Sequence, residues 1–503
     1  MKWWGWGSPD IQVNPSPQFV RRLIEVLGPR SSVLASRVRP RLTPARPVSL
    51  PCRSANDEET RLIHAGGRSY LDLIRLRSGG TIESVDAVAF PESGAEIAAV
   101  LALKNVAVIP FGGGTSVVGG VAPLRGDHDA VVALDVSGLC RIINVDKTSM
   151  TVTAEAGVFG PQLEAAVQGH GLTLGHYPQS FEYSTLGGWI ATRSAGQEST
   201  RYGRIENMVA RVSAITPAGR IDAGKPPASA TGPEVRELLV GSEGAFGVIA
   251  EATMRLHPVA QARQYRSYLF PCFAEGIDAC RELIQSSIRP AVIRLSDETE
   301  TQISFDLAGT PELIQRAFRF TGRRPGAHLL LAFDGGEASA ARSILRKLHG
   351  MPLGSSPGRH WERERFRHPY LRDTLLDQGY MLDTFETAAP WSGIRSLYDV
   401  LKKTAPGIMA CHLSHAYPDG ASLYFTVIDN ARPGEEAEQW HAFKSLVTDT
   451  ILKHGGTISH HHAIGVDHKR WLADERGELA VSLLRTVKRE LDPFGIMNPG
   501  KLL

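Results

Sequence analysis

Cysteine is scarce in this chain: five among 503 residues, at positions 52, 140, 272, 280 and 411. The number is odd and no pair is spaced C-x-x-C, which argues against a disulfide framework and a structural zinc site and fits a reducing compartment. Long apolar runs are missing too. No stretch reaches the roughly 20 residues a bilayer-crossing helix needs, and the start, "MKWWGWGSPD", lacks the apolar centre of a secretory signal, so the sequence reads as cytoplasmic, with no signal peptide and no transmembrane helix. A surplus of one charge is absent: 55 basic against 53 acidic residues leave +2, and no overall field argues for nucleic acid as partner. Internal repeats are absent. What remains is a chain too long for one core and sized for two or three domains.

The text divides into four regions. Residues 1–85 are rich in Pro, Arg and Trp, with one helical stretch at "PQFVRRLIEVLG", and read as an extended arm. In residues 86–259 a strand–helix–strand alternation occurs at "DAVAFPESGAEIAAVLALKNVAVIP" and again at "MTVTAEAGVFGPQLEAAVQGHGLTL". Residues 260–453 alternate strands such as "YRSYLF", "PAVIRL" and "HLLLAF" with helical segments, which predicts an antiparallel sheet backed by helices. Residues 454–503 hold "GGTISHHHAIG" and a helix whose Leu479, Leu483, Leu484, Val487 and Leu491 share one face, stopped by Pro493 and Gly495. "IDAGKPPASATGPEV" is a surface loop by composition.

"IPFGGGTSVVGG", Ile109 to Gly120, sets five glycines directly after an apolar run. Glycines in that place free backbone N–H groups to converge on one concavity, a shape that takes phosphate oxygens. The stretch fits neither GxGxxG opening a helix nor a P-loop ending in GK[ST], and alone it is as readily an ordinary turn. With "PQSFEYSTLGGWIATRSAGQESTRYGRIENMV" and "VGSEGAFGVIAEATMRL", in this order and spacing, it resembles the FAD-binding domain of the vanillyl-alcohol oxidase type of flavoprotein. The resemblance implies an α+β fold: a two-subdomain FAD-binding domain and a cap, or substrate, domain on an antiparallel sheet. Carried over by position, it implies that FAD is touched by Pro110, Phe111, Gly112, Gly113, Gly114, Thr115 and Ser116, by Gln179, Ser180, Ser184 and Thr185, by Thr192, Arg193, Ser194 and Ala195, and by Glu243, Gly244, Ala245, Phe246, Gly247, Val248 and Ile249. Thr115 and Ser116 stand where many members carry a tethering His, so the FAD is expected to be non-covalent.

Further stretches, "MKWWGWG", "GHYPQSFEYSTLGGW", "AVIRLSD", "FETAAPWSGI" and "ISHHHAIG", are similar to the alkyldihydroxyacetonephosphate synthase family over nearly the whole chain. The resemblance implies ether-lipid synthesis without net redox: the acyl group of acyl-dihydroxyacetone phosphate is exchanged for a fatty alcohol, with the substrate carbon held on the flavin N5. It implies lipid substrates as partners, allows a homodimer, and assigns Tyr424 in "ASLYFTV" to proton transfer, Arg372 in "YLRDTLL" to the substrate phosphate, and Arg294 and His176 to positions needed for activity. A Tyr with pKa near 10 is a poor base unless cations lower it, and His460, His461 and His462 are its expected neighbours. The arginine fork suits a phosphate dianion.

Each residue has a plainer reading: Tyr424 as a packed strand residue, Arg372 as a surface ion-pair partner, His176 as a turn residue. The triple His could be a metal tract, but side chains alternate along an extended segment, so His461 is expected to face away from His460 and His462, and no metal is expected. Related FAD-dependent dehydrogenases of D-2-hydroxy acids carry "HxGDGNxH" and "EHG" as a metal site. Here "SHAYPDGASLYFTV" keeps His415, but a His replaces the Glu of the second segment. A dehydrogenase of such acids is the alternative reading, and a flavin-binding lipid carrier without catalysis is a third. Trp3, Trp4 and Trp6 fit either peripheral contact with a membrane surface or packing on the protein.

Overall fold

The computed structural model describes residues 1–29, 37–310 and 326–503. Three main sheets organise them. The first is four-stranded, in the order Ser54–Ala55, Ala87–Ala89, Ala130–Asp135, Val106–Phe111, with its last three strands parallel. These strands carry continuous apolar text because both faces are covered, one by the helix Gly94–Leu101. The second is an antiparallel five-stranded sheet, Gly219–Ala223, Val209–Thr216, Val248–Arg255, Thr151–Glu155, Ile142–Asp146. The strand–helix–strand alternation read at Ala87–Phe111 and around Thr151–Thr173 is present in both subdomains.

The third sheet has seven antiparallel strands: Met351–Gly354, Gln264–Phe270, Ala327–Phe333, Val292–Ser296, Ile408–Ala416, Gly420–Asn430, Tyr380–Pro390. Period-two alternation splits its two faces. Phe385, Met409, Cys411, Leu413, Leu423, Phe425 and Val427 pack with the helices Phe273–Gln285, Ile394–Thr404 and Glu436–Lys453 in the largest core. Their sequence neighbours Thr384, Ala410, His412, Ser414, Tyr424 and Thr426 face the opposite way, into a cavity between this sheet and the two FAD-type subdomains. The predicted antiparallel sheet backed by helices is therefore what positions the site. Among the described residues, no helix is long and apolar enough to cross a membrane.

Two expectations need correction. Residues 1–29 and 37–85 are not an extended arm: helices Pro17–Leu27, Glu58–Ile63 and Tyr70–Leu76 pack on the rest of the chain, and Arg61, Arg68 and Arg77 are buried with backbone carbonyls as acceptors. Three of the arginines there are thus internal wiring, while Arg21, Arg37, Arg39, Arg41, Arg46 and Arg53 stay exposed. On the helix Glu478–Leu491, Val481 is buried and Leu484, Val487 and Leu491 pack on the core, but Leu479 and Leu483 are 85% and 63% exposed. At 100° per residue these two sit beyond the edge of the buried stripe. The C-terminal segment returns to the first sheet, where Met497 bridges Val108 and Ile496 joins its core.

Candidate active site

The cavity measures 460 Å³ and is lined by all three glycine-bearing motifs. Glycine is required here first by the chain itself. A Cβ on Gly113 would lie 1.6 Å from the Tyr183 carbonyl oxygen, and one on Gly244 would lie 2.8 Å from Pro110 Cγ. The motifs thus interlock closely: the second meets the first backbone to backbone at Gly113 and Tyr183, and the third packs Gly244 on the Pro110 ring of the first. Around that junction, no backbone N–H from Gly113 to Val117 meets an acceptor among the described residues, so a run of donors is left free beside the cavity. Such a cradle fits the diphosphate of a dinucleotide. Pro110 to Ser116, Gln179, Ser180, Ser184, Thr185, Thr192, Ser194, Ala195, Glu243, Gly244 and Gly247 to Ile249 line the cavity.

Three residues assigned to the cofactor do not. Arg193 ion-pairs with Glu206 and Glu237, and Ala245 and Phe246 are buried in the core of the second subdomain. Motif position carried them over, whereas the local chain turns them away. Glu243 joins the third motif to the C-terminal loop by accepting from Ile464 N at 2.8 Å and Gly465 N at 2.7 Å, and burial lifts its carboxyl to about 7.

Across the cap sheet, the register sets Glu386 beside Tyr424 and Tyr424 beside His412. The His412 ring stacks on Tyr424 at 4.9 Å, His462 stands edge-on to it at 5.4 Å and His461 lies at 5.9 Å. Arg294 Nη2 donates to Glu300 Oε1 at 2.8 Å, and the same oxygen meets His412 Nδ1 at 3.0 Å. Arg294 therefore reaches the phenol through Glu300 and His412. Tyr424, Arg294, Arg372, His461 and His462 line the cavity, together with His412, His415, Thr384 and Glu300. His176 and His460 do not. His176 backs the cavity-lining Ser194, with its Nε2 2.8 Å from the hydroxyl, and His460 sits behind His461, 2.8 Å from the Tyr417 hydroxyl.

The expected alternation of the histidines is overturned. Residues 458–464 form no strand, and Glu386 gathers the backbone: its carboxylate accepts from His460 N at 2.6 Å, His461 N at 3.0 Å, His462 N at 2.9 Å and Ser459 Oγ at 3.0 Å. The three rings consequently fall together, with Nδ1 of His460 3.0 Å from Nδ1 of His461, and Glu386, His460 and His461 bring ligand-type atoms within 4.8 Å of one another. His461 and His462 do neighbour Tyr424, as expected, but burial keeps them from supplying the expected positive charge. Burial pushes His461 down to about 4 against the pull of Glu386, and burial lifts Tyr424 to about 12. The phenol is a proton donor among neutral imidazoles. Burial alone would raise Glu386, but its attraction to any proton on the facing histidines, together with the loop N–H groups it accepts, holds it well below the usual carboxylate range.

These shifts fix a pH dependence. Burial also pushes His176 down to about 3. The unfolded chain takes up these protons near pH 6.5, and the folded chain not until about 4 for His461 and 3 for His176, so stability falls as pH drops through that window. At pH 5 each histidine should cost ~2 kcal/mol. We expect a lower Tm at pH 5 than at pH 7, with the difference reduced in His176→Asn; equal values in the two proteins would contradict it.

Arg372 donates through Nη1 to the Arg68 carbonyl at 2.8 Å, while its Nε and Nη2, both buried, have no partner among the described residues. An open guanidinium edge at a cavity wall fits a phosphate. From there the lining turns apolar: Phe19, Ile303, Leu307, Leu371, Leu382 and Ile428. Glu300, Glu386, His412 and Thr384 were not singled out from sequence. The signal for His412 was the period-two text of "CHLSHA", which places it on the face opposite Cys411 and Leu413; Glu386 lay inside a quoted motif, but its partners are 73 to 76 residues away.

Residues 85–223 match the family model of the FAD binding domain, and residues 259–502 match that of the FAD linked oxidases, C-terminal domain. The cofactor is FAD, and the cradle at 113–117 fits it. Alkyldihydroxyacetonephosphate synthase of Dictyostelium discoideum is 33% identical over 483 residues, 90% of this chain and 79% of that protein. A solved structure of alkyldihydroxyacetonephosphate synthase superposes with a TM-score of 0.82 at 29% identity, covering 99% of this chain and 98% of the other. The mitochondrial D-lactate dehydrogenase [cytochrome] 1 of Saccharomyces cerevisiae is more distant, at 27% over 82% of this chain and 72% of its own. By identity, coverage and fold, this chain belongs to the alkyldihydroxyacetonephosphate synthase family of FAD-dependent enzymes.

Proposed function

We propose that the protein exchanges the acyl group of acyl-dihydroxyacetone phosphate for a fatty alcohol, giving alkyl-dihydroxyacetone phosphate and a fatty acid. The observation that carries the reading is one cavity whose lining combines three features: the open edge of Arg372, the proton-bearing Tyr424 among imidazoles, and an apolar wall of Leu382, Ile428 and Phe19. A phosphate, a ketone-bearing carbon and an alkyl chain match them in turn. A small hydroxy acid has no use for the apolar wall.

The residues around the cradle, Gly113 to Ser116, Thr185 and Gly244, would hold FAD. When bound, FAD supplies an electrophilic ring nitrogen able to accept a carbon nucleophile. The chain does the rest. Arg372 anchors the phosphate and so fixes where the substrate's carbon lies. Removing a proton beside the ketone needs a group that is unprotonated at neutral pH, a condition His461 meets. Tyr424 holds a proton at Oη that it can donate in a hydrogen bond to the departing carboxylate. The fatty acid leaves with the electron pair of its C–O bond, the alcohol oxygen forms the new bond and releases its proton, and no electron is gained or lost. The apolar wall excludes water and holds the chain, at about 0.8 kcal/mol per buried methylene.

The test is anaerobic mixing of the yellow protein with palmitoyl-dihydroxyacetone phosphate and hexadecanol, and separately with D-lactate and D-2-hydroxyglutarate. We expect fatty acid and ether product with no net bleaching in the first case, and no bleaching in the others. Bleaching by a hydroxy acid with an inert acyl substrate would make this a dehydrogenase.

A further inference from the structure

The N-terminal "MKWWGWG" is the one quoted motif that the exchange chemistry leaves unused, and the structure places it against the helix that carries Arg372. Trp6 is 4% exposed and lines the cavity. Its backbone N donates to Asp373 Oδ2 at 2.8 Å, and Lys2 Nζ pairs with the same oxygen at 2.9 Å, deep in the protein. Gly5 and Gly7 let this turn lie on the helix, since a Cβ would meet Asp373 at 2.2 Å and the Tyr370 hydroxyl at 2.0 Å. Ser8 N then donates to both Tyr183 and Tyr370, whose hydroxyls meet at 2.9 Å. The turn thus straps the second cofactor motif, through Tyr183, to the cap helix His368–Asp377.

A second set of bonds runs through Arg68, a residue 1% exposed. Its backbone N donates to Ser116 O at 2.5 Å, inside the glycine cradle, and its carbonyl accepts Arg372 Nη1 at 2.8 Å. One residue therefore spaces the cradle from the arginine. Its guanidinium is held by Gly67 O at 2.6 Å and by Lys2 O at 2.9 Å, which returns to the strap. Lys2 also covers the carboxylate next to Arg372. Without the ammonium, Asp373 would be left as an unpaired buried anion under the strap, on the helix that carries Arg372.

We propose that the Lys2–Ser8 turn and Arg68 are positioning elements that hold the free edge of Arg372 toward a phosphate monoester in the cavity, making the N-terminal turn part of substrate recognition. This rests on Arg372 as the phosphate anchor. The test is binding of inorganic phosphate, and of glycerol 3-phosphate, to the FAD-loaded protein, read as a flavin difference spectrum and by calorimetry, in the wild type, Lys2→Met, Lys2→Arg, Trp6→Phe and Arg372→Ala. We expect Lys2→Met to weaken both ligands at least fivefold with flavin content unchanged, Lys2→Arg to recover most of the affinity, and Arg372→Ala to abolish binding. In turnover, Lys2→Met should raise KM for the acyl phosphate ester and leave kcat within about twofold. Should Lys2→Met fail to fold, Trp6→Phe, which loses cavity wall and ring contact with Tyr183 but keeps the backbone bonds, carries the test with a smaller loss of affinity. Wild-type affinity in Lys2→Met or, failing that, in Trp6→Phe, or a loss of FAD in step with phosphate, overturns the proposal. Wild-type affinity in Arg372→Ala overturns instead the anchor on which it rests.

Discussion

Tyr424→Phe is expected to lower the exchange rate by ~10²–10⁴, the usual span for a lost proton-transfer group, while the protein keeps its flavin and its stability. The variant removes one oxygen from a ring whose place is fixed by other contacts: the strand Gly420–Asn430 runs between two partners along its length, and His412 stacks on the ring face. Phenylalanine keeps the ring, the register and the stack. What is lost is a hydroxyl that burial keeps protonated, its pKa lifted to about 12. The measurement is twofold: ether formation, and washout of deuterium from the carbon beside the ketone. Washout that persists while ether formation stops would place proton removal on an imidazole and leave the phenol to serve the departing carboxylate. A variant keeping more than a tenth of the activity would remove Tyr424 from the chemistry altogether.

Such an experiment is interpretable because the cap sheet was legible in the sequence and the polar row on it was only half so. Alternation in "ASLYFTVID" puts Leu423, Phe425 and Val427 in the core and Tyr424 and Thr426 in the cavity, a consequence of the period of two that needs no partner to be known. The glycine stretch was legible as a cradle, but the reason for its glycines was not. Gly113 is small because the Tyr183 carbonyl passes 1.6 Å from where its Cβ would be, a contact between residues 70 apart in the chain. The histidine loop failed for the same kind of reason. Alternation presumes a strand, and residues 458–464 take their shape from Glu386 on a distant strand. Arg193, Ala245 and Phe246 show the converse limit: position within a motif does not fix the direction of each side chain. The three N-terminal tryptophans admitted two readings, and the packing of Trp6 followed only from Asp373 and Tyr370.

Glu386→Gln should abolish activity as fully as Tyr424→Phe, but by unmaking the site, and the two are told apart by stability. The carboxylate accepts from three consecutive backbone N–H groups and the Ser459 hydroxyl and is nearly inaccessible to solvent. Glutamine matches its volume but turns one acceptor into a donor. Oriented one way, its NH₂ faces the His460 N–H that Oε2 now receives. Oriented the other way, it faces the N–H groups of His461 and His462. Either choice leaves at least one buried donor unmet, at about 1–3 kcal/mol each, and removes the charge that makes all four bonds strong. A loss of about 3–5 kcal/mol follows, read by urea unfolding of the FAD-loaded protein. The histidine rings then lose their common orientation, so ether formation should fall at least 100-fold. Adding Tyr424→Phe to Glu386→Gln should cost little more activity, because the phenol works only among rings that Glu386 has gathered. Fully multiplicative losses would show that the loop and the phenol act independently, and a Glu386→Gln protein with wild-type stability would show that the backbone of 459–462 holds its shape without the carboxylate.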